Sequence, residues 1–85
     1  MYILNDYNDR NTVVAHLSLD HNERAMELLA TMPKDAVTEY LRAIACSRLG
    51  RKAEGREHFL EACRLDGRME YRGNLDPEIA ELLKQ

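Results

Sequence analysis

The 85-residue sequence is poor in the residues that interrupt helices, with two prolines and four glycines. It also has a single Phe, whereas Ala, Leu, Glu and Arg are frequent, and this composition favours helices over strands. No apolar run approaches the ~20 residues that a membrane-spanning helix needs. The first residues lack the basic segment and the long apolar stretch of a secretory signal peptide. The sequence therefore predicts one small, all-α domain over residues 1–85.

Neither the charge nor the cysteine content points to a particular class of partner. The formal net charge is -3, so the chain has no overall positive field that would attract nucleic acid or an anionic membrane. Cys46 and Cys63 are too few for a disulfide scaffold, and their spacing is not that of a metal-binding motif. We interpret both as small, half-buried apolar side chains.

The sequence also lacks the motifs of common catalytic and metal sites. His16, His21 and His58 have no metal-ligand spacing with one another or with the cysteines. There is no glycine-rich phosphate loop and no Ser, Cys or His nucleophile motif. Glu54 precedes His58 by one helical turn, and we interpret the two as an exposed helical pair rather than a catalytic dyad. We therefore expect a non-enzymatic protein without a metal or cofactor.

The first half of the chain predicts two helices separated by a tight turn. The first helix begins after Asn8-Asp9, either of which can cap it. Asp20 and Glu23 have the spacing of a capping box with Asp in the Ser/Thr place, which predicts that Asp20 caps the second helix. This second helix ends at Pro33, because proline cannot continue a helix.

The second half predicts a longer helix pair. Asp35 caps the third helix, and Gly50 ends it, since glycine adopts the left-handed conformation at a helix C-terminus without steric cost. A fourth helix follows to about Leu65. The segment 68–75 is predicted to be less regular, with a turn at Gly73-Asn74.

A short helix is predicted at residues 76–84. Asp76 followed by Pro77 is a strong start signal, with a capping carboxylate and a proline at the first helical position. Ile79, Leu82 and Leu83 form one apolar stripe. We expect this capping helix to cover the open face of the fourth helix.

The chain matches itself best when it is shifted by 30 residues. Aligned positions agree in class, namely Ala15 with Ala45, Leu19 with Leu49, Asp20 with Gly50, Ala25 with Gly55, Glu27 with Glu57 and Leu29 with Phe59. Repeated helix pairs cannot bury their apolar faces alone, so they stack. Residues 1–8 match the end of a helix from an earlier repeat, which predicts that the chain is a piece of a longer protein.

The second copy resembles a tetratricopeptide repeat. The resemblance rests on Ala43-Ile44-Ala45-Cys46-Ser47-Arg48-Leu49-Gly50, followed by Gly55, Phe59, Ala62 and Leu65-Asp66. In that motif, small residues at the places of Ala43 and Gly55 let the two helices cross closely. We expect these two residues, with Phe59 and Ala62, in the core. The resemblance implies two antiparallel helix pairs stacked as a short right-handed solenoid, with repeats at residues 9–33 and 35–66 before the capping helix.

The chain departs from this motif at several positions. The first copy is about one helical turn shorter than the usual repeat of about 34 residues. Cys46 and His16 occupy the place of the usual aromatic residue near the end of the first helix, and Gly67 the place of a common proline. The segment from Tyr71 to Ile79 also resembles the end of a bacterial group in which such repeats close larger surface or envelope proteins. This implies the periplasm or cell envelope if the chain belongs to such a protein, whereas the sequence alone suggests the cytoplasm.

Tetratricopeptide repeats usually bind other proteins on a concave surface formed by the first helices of successive repeats. The resemblance implies that this surface contains Arg10, Val14, Leu17, Ser18, Tyr40, Leu41, Ile44 and Arg48. Apolar residues flanked by arginines suit a peptide or a partner helix. The sequence thus predicts a protein–protein interaction or assembly module.

The sequence leaves alternatives to a separate peptide or partner helix as the occupant of this surface. The remainder of a longer parent chain would cover it in an intact protein, and a second copy would fill it in a homodimer. A nucleic-acid-binding regulator is a weaker alternative, based on the basic residues Arg48, Arg51, Lys52 and Arg56. No aromatic residues alternate with these cations, as they do on many surfaces that bind single strands.

Overall fold

The computed structural model describes residues 10–84, in which six helices are joined by short turns and no strand is present. The helices are α1 Arg10–Ser18, α2 Asn22–Leu29, α3 Ala36–Arg48, α4 Lys52–Leu65, α5 Arg68–Asn74 and α6 Pro77–Leu83. The predicted all-α class is confirmed for this part of the chain. None of these helices is long and apolar enough to cross a membrane. The predicted cap at Asn8-Asp9 and the predicted remnant of an earlier repeat lie outside the described residues.

The turns after α1 and α3 have the same backbone geometry. Each contains the two hydrogen bonds, from backbone N–H to carbonyl, of a Schellman motif. After α1 these run from His21 to His16 (2.8 Å) and from Asp20 to Leu17 (3.0 Å). After α3 they run from Arg51 to Cys46 (2.8 Å) and from Gly50 to Ser47 (3.2 Å). The left-handed position is taken by Asp20, with φ 63°, and by Gly50, with φ 80°. These two residues are aligned in the 30-residue register, so the repeat seen in the sequence is also present in the backbone of the turns.

The predicted capping role of Asp20 is wrong. The N-cap of α2 is His21, and no side chain caps that helix. Asp20 instead ends α1 from the left-handed conformation, which Asp and Asn adopt more readily than most other residues with a Cβ. Its carboxylate accepts a hydrogen bond from Asn22 at 2.9 Å. A capping-box spacing alone does not distinguish a residue that starts one helix from a residue that ends the previous one.

Two other predicted caps are confirmed. Asp35 accepts the backbone N–H of Thr38 at 2.8 Å, and this hydrogen bond holds the pKa of Asp35 below its ordinary value. Asp76 accepts the backbone N–H of Glu78 at 3.0 Å, with Pro77 in the first turn of α6. Each cap of this kind contributes about 1 kcal/mol.

The core consists of two apolar clusters, and α3 contributes to both. The first joins α1, α2 and α3 through Val13, Leu17, Ala25, Leu28, Leu29, Leu41 and Ala45. The second joins α3 to the last three helices through Tyr40, Ala43, Phe59, Ala62, Met69, Ile79 and Leu82. All four residues predicted for the core are buried, which confirms that prediction for Ala43, Gly55, Phe59 and Ala62.

Two glycines allow close packing in the second cluster. A Cβ on Gly55 would lie 3.2 Å from the carbonyl oxygen of Ala43 and 3.2 Å from the Leu82 side chain, so the predicted close crossing of α3 and α4 is confirmed. Gly73 belongs to α5, and a Cβ there would overlap the ring of Phe59. The predicted turn at Gly73-Asn74 is therefore wrong, because packing of α5 against the core outweighs the low helix propensity of glycine.

Helix α6 closes the second cluster. Ile79 and Leu82 are fully buried, as expected for the apolar stripe, whereas Leu83 is 39% exposed. The helix contacts α3 and α5 as well as α4. Its apolar side therefore fills the junction of three helices, rather than the face of α4 alone.

Tyr40 connects α3 to the start of α6. Its hydroxyl donates to the Asp76 carboxylate at 2.8 Å, and its ring packs edge-on against Phe59 with the centroids 6.1 Å apart. The guanidinium carbon of Arg72 lies 4.8 Å from the Tyr40 ring centroid. Burial and the neighbouring Asp76 carboxylate raise the pKa of Tyr40 well above its ordinary value of 10.0.

We expect this buried tyrosine to make the fold sensitive to alkaline pH. Because the pKa of Tyr40 is higher in the folded state than in the unfolded state, the neutral phenol stabilises the fold. This stabilisation is fully present below pH 10, the ordinary pKa of tyrosine, and is lost as the pH rises towards the pKa of the folded state. Above about pH 10, Tyr40 should therefore lower the free energy of unfolding by about 1.4 kcal/mol for each unit of pH. Urea unfolding at several alkaline pH values should show a shallower decline for Tyr40→Phe than for the natural sequence. Tyr71→Phe, at a largely exposed position, should keep the steeper decline; equal slopes for all three proteins would contradict the role of Tyr40.

Candidate partner-binding groove and buried polar cluster

The residues predicted to line a concave binding surface differ widely in exposure. Leu17, Tyr40 and Leu41 are buried in the two clusters, so their side chains support the fold and present little area to a partner. Val14 is exposed, and Ile44 is partly buried against the second cluster. Most of the apolar residues predicted for this surface are thus buried in the core of the domain.

The two predicted arginines lie in different surroundings. Arg10 is exposed at the start of α1, close enough to Asp35 for its charge to lower the pKa of that carboxyl. Arg48 joins three helices: it donates to the Leu17 carbonyl at 2.7 Å and to the Glu78 carboxylate at 2.7 and 3.0 Å. The hydrogen bonds that Arg48 donates to the Glu78 carboxylate raise the pKa of Arg48. Arg48 therefore holds the end of α1 and the start of α6 together at the end of α3.

An open groove of about 730 Å³ lies where the C-terminal ends of α1 and α3 meet α6. It is lined by Leu17, Ser18, Asp20, Asn22, Ser47, Arg48, Pro77, Glu78 and Glu81. Ser18, Leu17 and Arg48 belong to the predicted binding surface. Pro77, Glu78 and Glu81 were missed because α6 brings them to a place that the repeat pattern does not describe.

The ionisable side chains of the groove are mostly acidic, although apolar atoms make up the larger part of its lining. Its lining includes three carboxylates and one guanidinium, and that guanidinium is already bound to Glu78. The side chain of Asp20 is 83% exposed and lies 3.9 Å from Arg48. Glu81 is also exposed and forms a surface ion pair with Lys84 at 3.4 Å. The carboxylates of Asp20 and Glu81 are therefore both exposed to solvent in the lining of the groove.

A buried polar network between α3 and α4 was not predicted from the sequence. The Glu39 side chain is 2% exposed, and its carboxylate contacts Arg42 Nη1 at 2.6 Å and His58 Nδ1 at 2.6 Å. Arg42 also donates to the carbonyl of Leu29. These partners are needed, because a buried carboxylate without them would cost several kcal/mol. The sequence signal that could have indicated this network is the position of Glu39, a charged residue on the side of α3 that carries core residues.

Three further side chains come together beside this network. The ligand atoms of Cys46, Glu54 and His58 lie within 4.8 Å of one another. Cys46 is buried, and its pKa is raised by burial and by the Glu54 carboxylate. His58 is half-buried and bound to Glu39, so its interpretation as an exposed partner of Glu54 was wrong. Spacing along the chain does not reveal this cluster, because the turn at Gly50 folds its two helices against each other.

Comparison with known proteins identifies no relative of this chain. No protein-family model matches it, and no curated protein or solved structure matches it either. The resemblance of the second helix pair to a tetratricopeptide repeat therefore stays a prediction.

Proposed function

We propose that this domain is a non-enzymatic protein–protein interaction module built from two tetratricopeptide-like helix pairs. The support for the architecture is threefold. The turns within the two pairs share one hydrogen-bonding pattern in the 30-residue register. Gly55 allows the close crossing of α3 and α4 that the motif needs. Successive helices from α1 to α4 contact one another, as in stacked helix pairs.

The acidic groove is the observation that carries the proposed function. It lies on the surface at the ends of α1 and α3, and its hydroxyl, amide and carboxylate groups can accept hydrogen bonds. A lysine or arginine side chain could donate charge-assisted hydrogen bonds there, most directly to the carboxylates of Asp20 and Glu81. The partner is therefore a protein segment, peptide or helix, with at least one positively charged side chain. Charge complementarity of this kind sets specificity and association rate.

The proposal predicts that neutralising the groove weakens binding of basic peptides. Peptides selected from a random display library on the natural protein should be enriched in lysine and arginine. The double variant Asp20→Asn and Glu81→Gln should bind them about tenfold more weakly, which corresponds to ~1.4 kcal/mol. Asn suits the left-handed backbone of position 20, so this variant should fold normally. Fluorescence anisotropy of labelled peptides measures the affinities.

A matched control separates the groove from overall charge. Glu57→Gln with Glu70→Gln removes the same charge from exposed positions outside the groove and should leave affinity unchanged. Equal weakening in both double variants would contradict binding in the groove. Selection of peptides without positive charge would contradict the proposed partner chemistry.

Self-association is the second candidate function. Val14 is 47% exposed and Leu19 is 57% exposed, so α1 and its C-terminal turn present apolar side chains next to the groove. A homodimer that buries these residues would use the groove as its seam. Light scattering over a hundredfold concentration range distinguishes the two candidates, since a monomer throughout leaves the groove free for another protein.

A further inference from the structure

We propose that Cys46, Glu54 and His58 form a binding site for a borderline-soft divalent cation such as Zn²⁺, between the end of α3 and the first half of α4. Thiolate, imidazole and carboxylate are the three side-chain groups that bind zinc in proteins. Here one of each comes from two adjacent helices, and their ligand atoms lie within 4.8 Å of one another. The site is separate from the acidic groove and does not depend on the proposed function.

The present separation of the ligand atoms is close to what a bound ion requires. Zinc–ligand bonds of about 2.0–2.3 Å place tetrahedral ligand atoms roughly 3.5 Å apart. Glu54 is exposed, and within residues 10–84 its carboxylate makes no hydrogen bond or ion pair. Rotation of the Glu54 side chain can therefore bring its carboxylate closer to Cys46 and His58 without a change in the backbone.

The Glu39 carboxylate positions the histidine for this role. Its contact with His58 Nδ1 at 2.6 Å leaves Nε2 as the nitrogen available to a metal ion. In metal sites, a carboxylate that accepts the N–H of the ligating histidine fixes the ring and raises its basicity. Arg42, in turn, holds Glu39 at 2.6 Å, so the histidine is supported by a buried ion pair.

The charge and the access of the site also fit a divalent cation. As metal ligands Cys46 is a thiolate and Glu54 a carboxylate, so a doubly charged ion balances the charge of the pair. On binding, the Cys46 thiol releases its proton to solvent as the sulfur–metal bond forms. Cys46 is buried and Glu54 exposed, so an ion can enter from the Glu54 side. Three protein ligands leave the fourth position to a water molecule.

Cobalt(II) titration of the reduced protein tests the proposal, because cobalt replaces zinc and reports its ligands by absorption. We expect one Co²⁺ per chain, with visible bands of tetrahedral cobalt and a thiolate-to-cobalt charge-transfer band. Zn²⁺ should abolish both signals by competition and should raise the melting temperature. Absence of saturable cobalt bands at millimolar concentration would overturn the proposal.

Variants then assign the ligands. Cys46→Ala should remove the charge-transfer band, and Glu54→Gln, at an exposed position, should weaken cobalt binding at least tenfold without affecting folding. Glu39→Gln should weaken binding about 10–100-fold while the charge-transfer band persists, as expected for a positioning residue. Controls are Cys63→Ala and Glu57→Gln, which should bind cobalt normally. A band that survives Cys46→Ala or Glu54→Gln unchanged would show that cobalt binds elsewhere.

Discussion

Replacing Glu39 with Ala is expected to lower the free energy of unfolding by about 3–5 kcal/mol, the range seen when one partner of a buried ion pair is removed. The Glu39 side chain is 2% exposed and contacts both Arg42 and His58 at 2.6 Å. Its loss leaves a guanidinium without its carboxylate between α2 and α3, since Arg42 keeps only carbonyl partners. Urea unfolding followed by circular dichroism measures the change.

A surface pair of the same chemistry provides the control for Glu39. Arg24 and Glu27 are also three residues apart on one helix, with N···O 2.8 Å, but their side chains are 40% and 67% exposed to solvent. Glu27→Ala should therefore change stability by less than about 1 kcal/mol. Similar losses for the two variants would show that burial of the Glu39 network contributes little to the fold.

Gly73→Ala is expected to destabilise the domain by about 3 kcal/mol, although alanine favours helices more than glycine does. The added methyl group would overlap the buried ring of Phe59, which also packs against Tyr40. Neither ring nor helix can move without disturbing the second cluster. Thermal and urea unfolding should both show the loss.

Gly67→Ala is the matched control for this overpacking. Gly67 lies just before α5 with φ -58°, and a Cβ there would have no neighbour within 4 Å. This variant should be neutral or slightly more stable, since alanine restricts the unfolded chain. Phe59→Leu combined with Gly73→Ala should recover part of the loss, because the smaller side chain leaves room for the methyl group. If Gly73→Ala were as stable as the natural protein, α5 would not pack on Phe59 as described.

Local sequence signals were sufficient to predict most of the helices. Asp35, Gly50 and Asp76 act as the cap and turn residues that the sequence indicated, because each role depends on a few neighbouring residues. The same logic failed at Asp20 and at Gly73. At Asp20, the same spacing pattern fits a residue that starts one helix and a residue that ends the previous helix. At Gly73, a contact with Phe59, which is distant in sequence, decides the structure.

The candidate sites could be predicted only in part. Arg48, Leu17 and Ser18 do line the groove, but two of its three carboxylates, Glu78 and Glu81, come from α6, which packs beside α3 through contacts that are distant in sequence. Glu39, His58 and Cys46 meet only after the Gly50 turn brings two helices together. Helical spacing shows which residues share one helix face, whereas it does not show which faces meet.

The most direct test of the proposed function is to map a bound peptide by two-dimensional NMR of the ¹⁵N-labelled domain. A lysine- and arginine-containing peptide from the selection is added to saturation, with a peptide of the same length and opposite charge for comparison. We expect saturable shifts at the groove amides, including Ser18, Asp20, Ser47 and Glu81, with the basic peptide only. Shifts confined to the exposed outer side of α4 around Leu60, or equal shifts with both peptides, would contradict binding in the acidic groove.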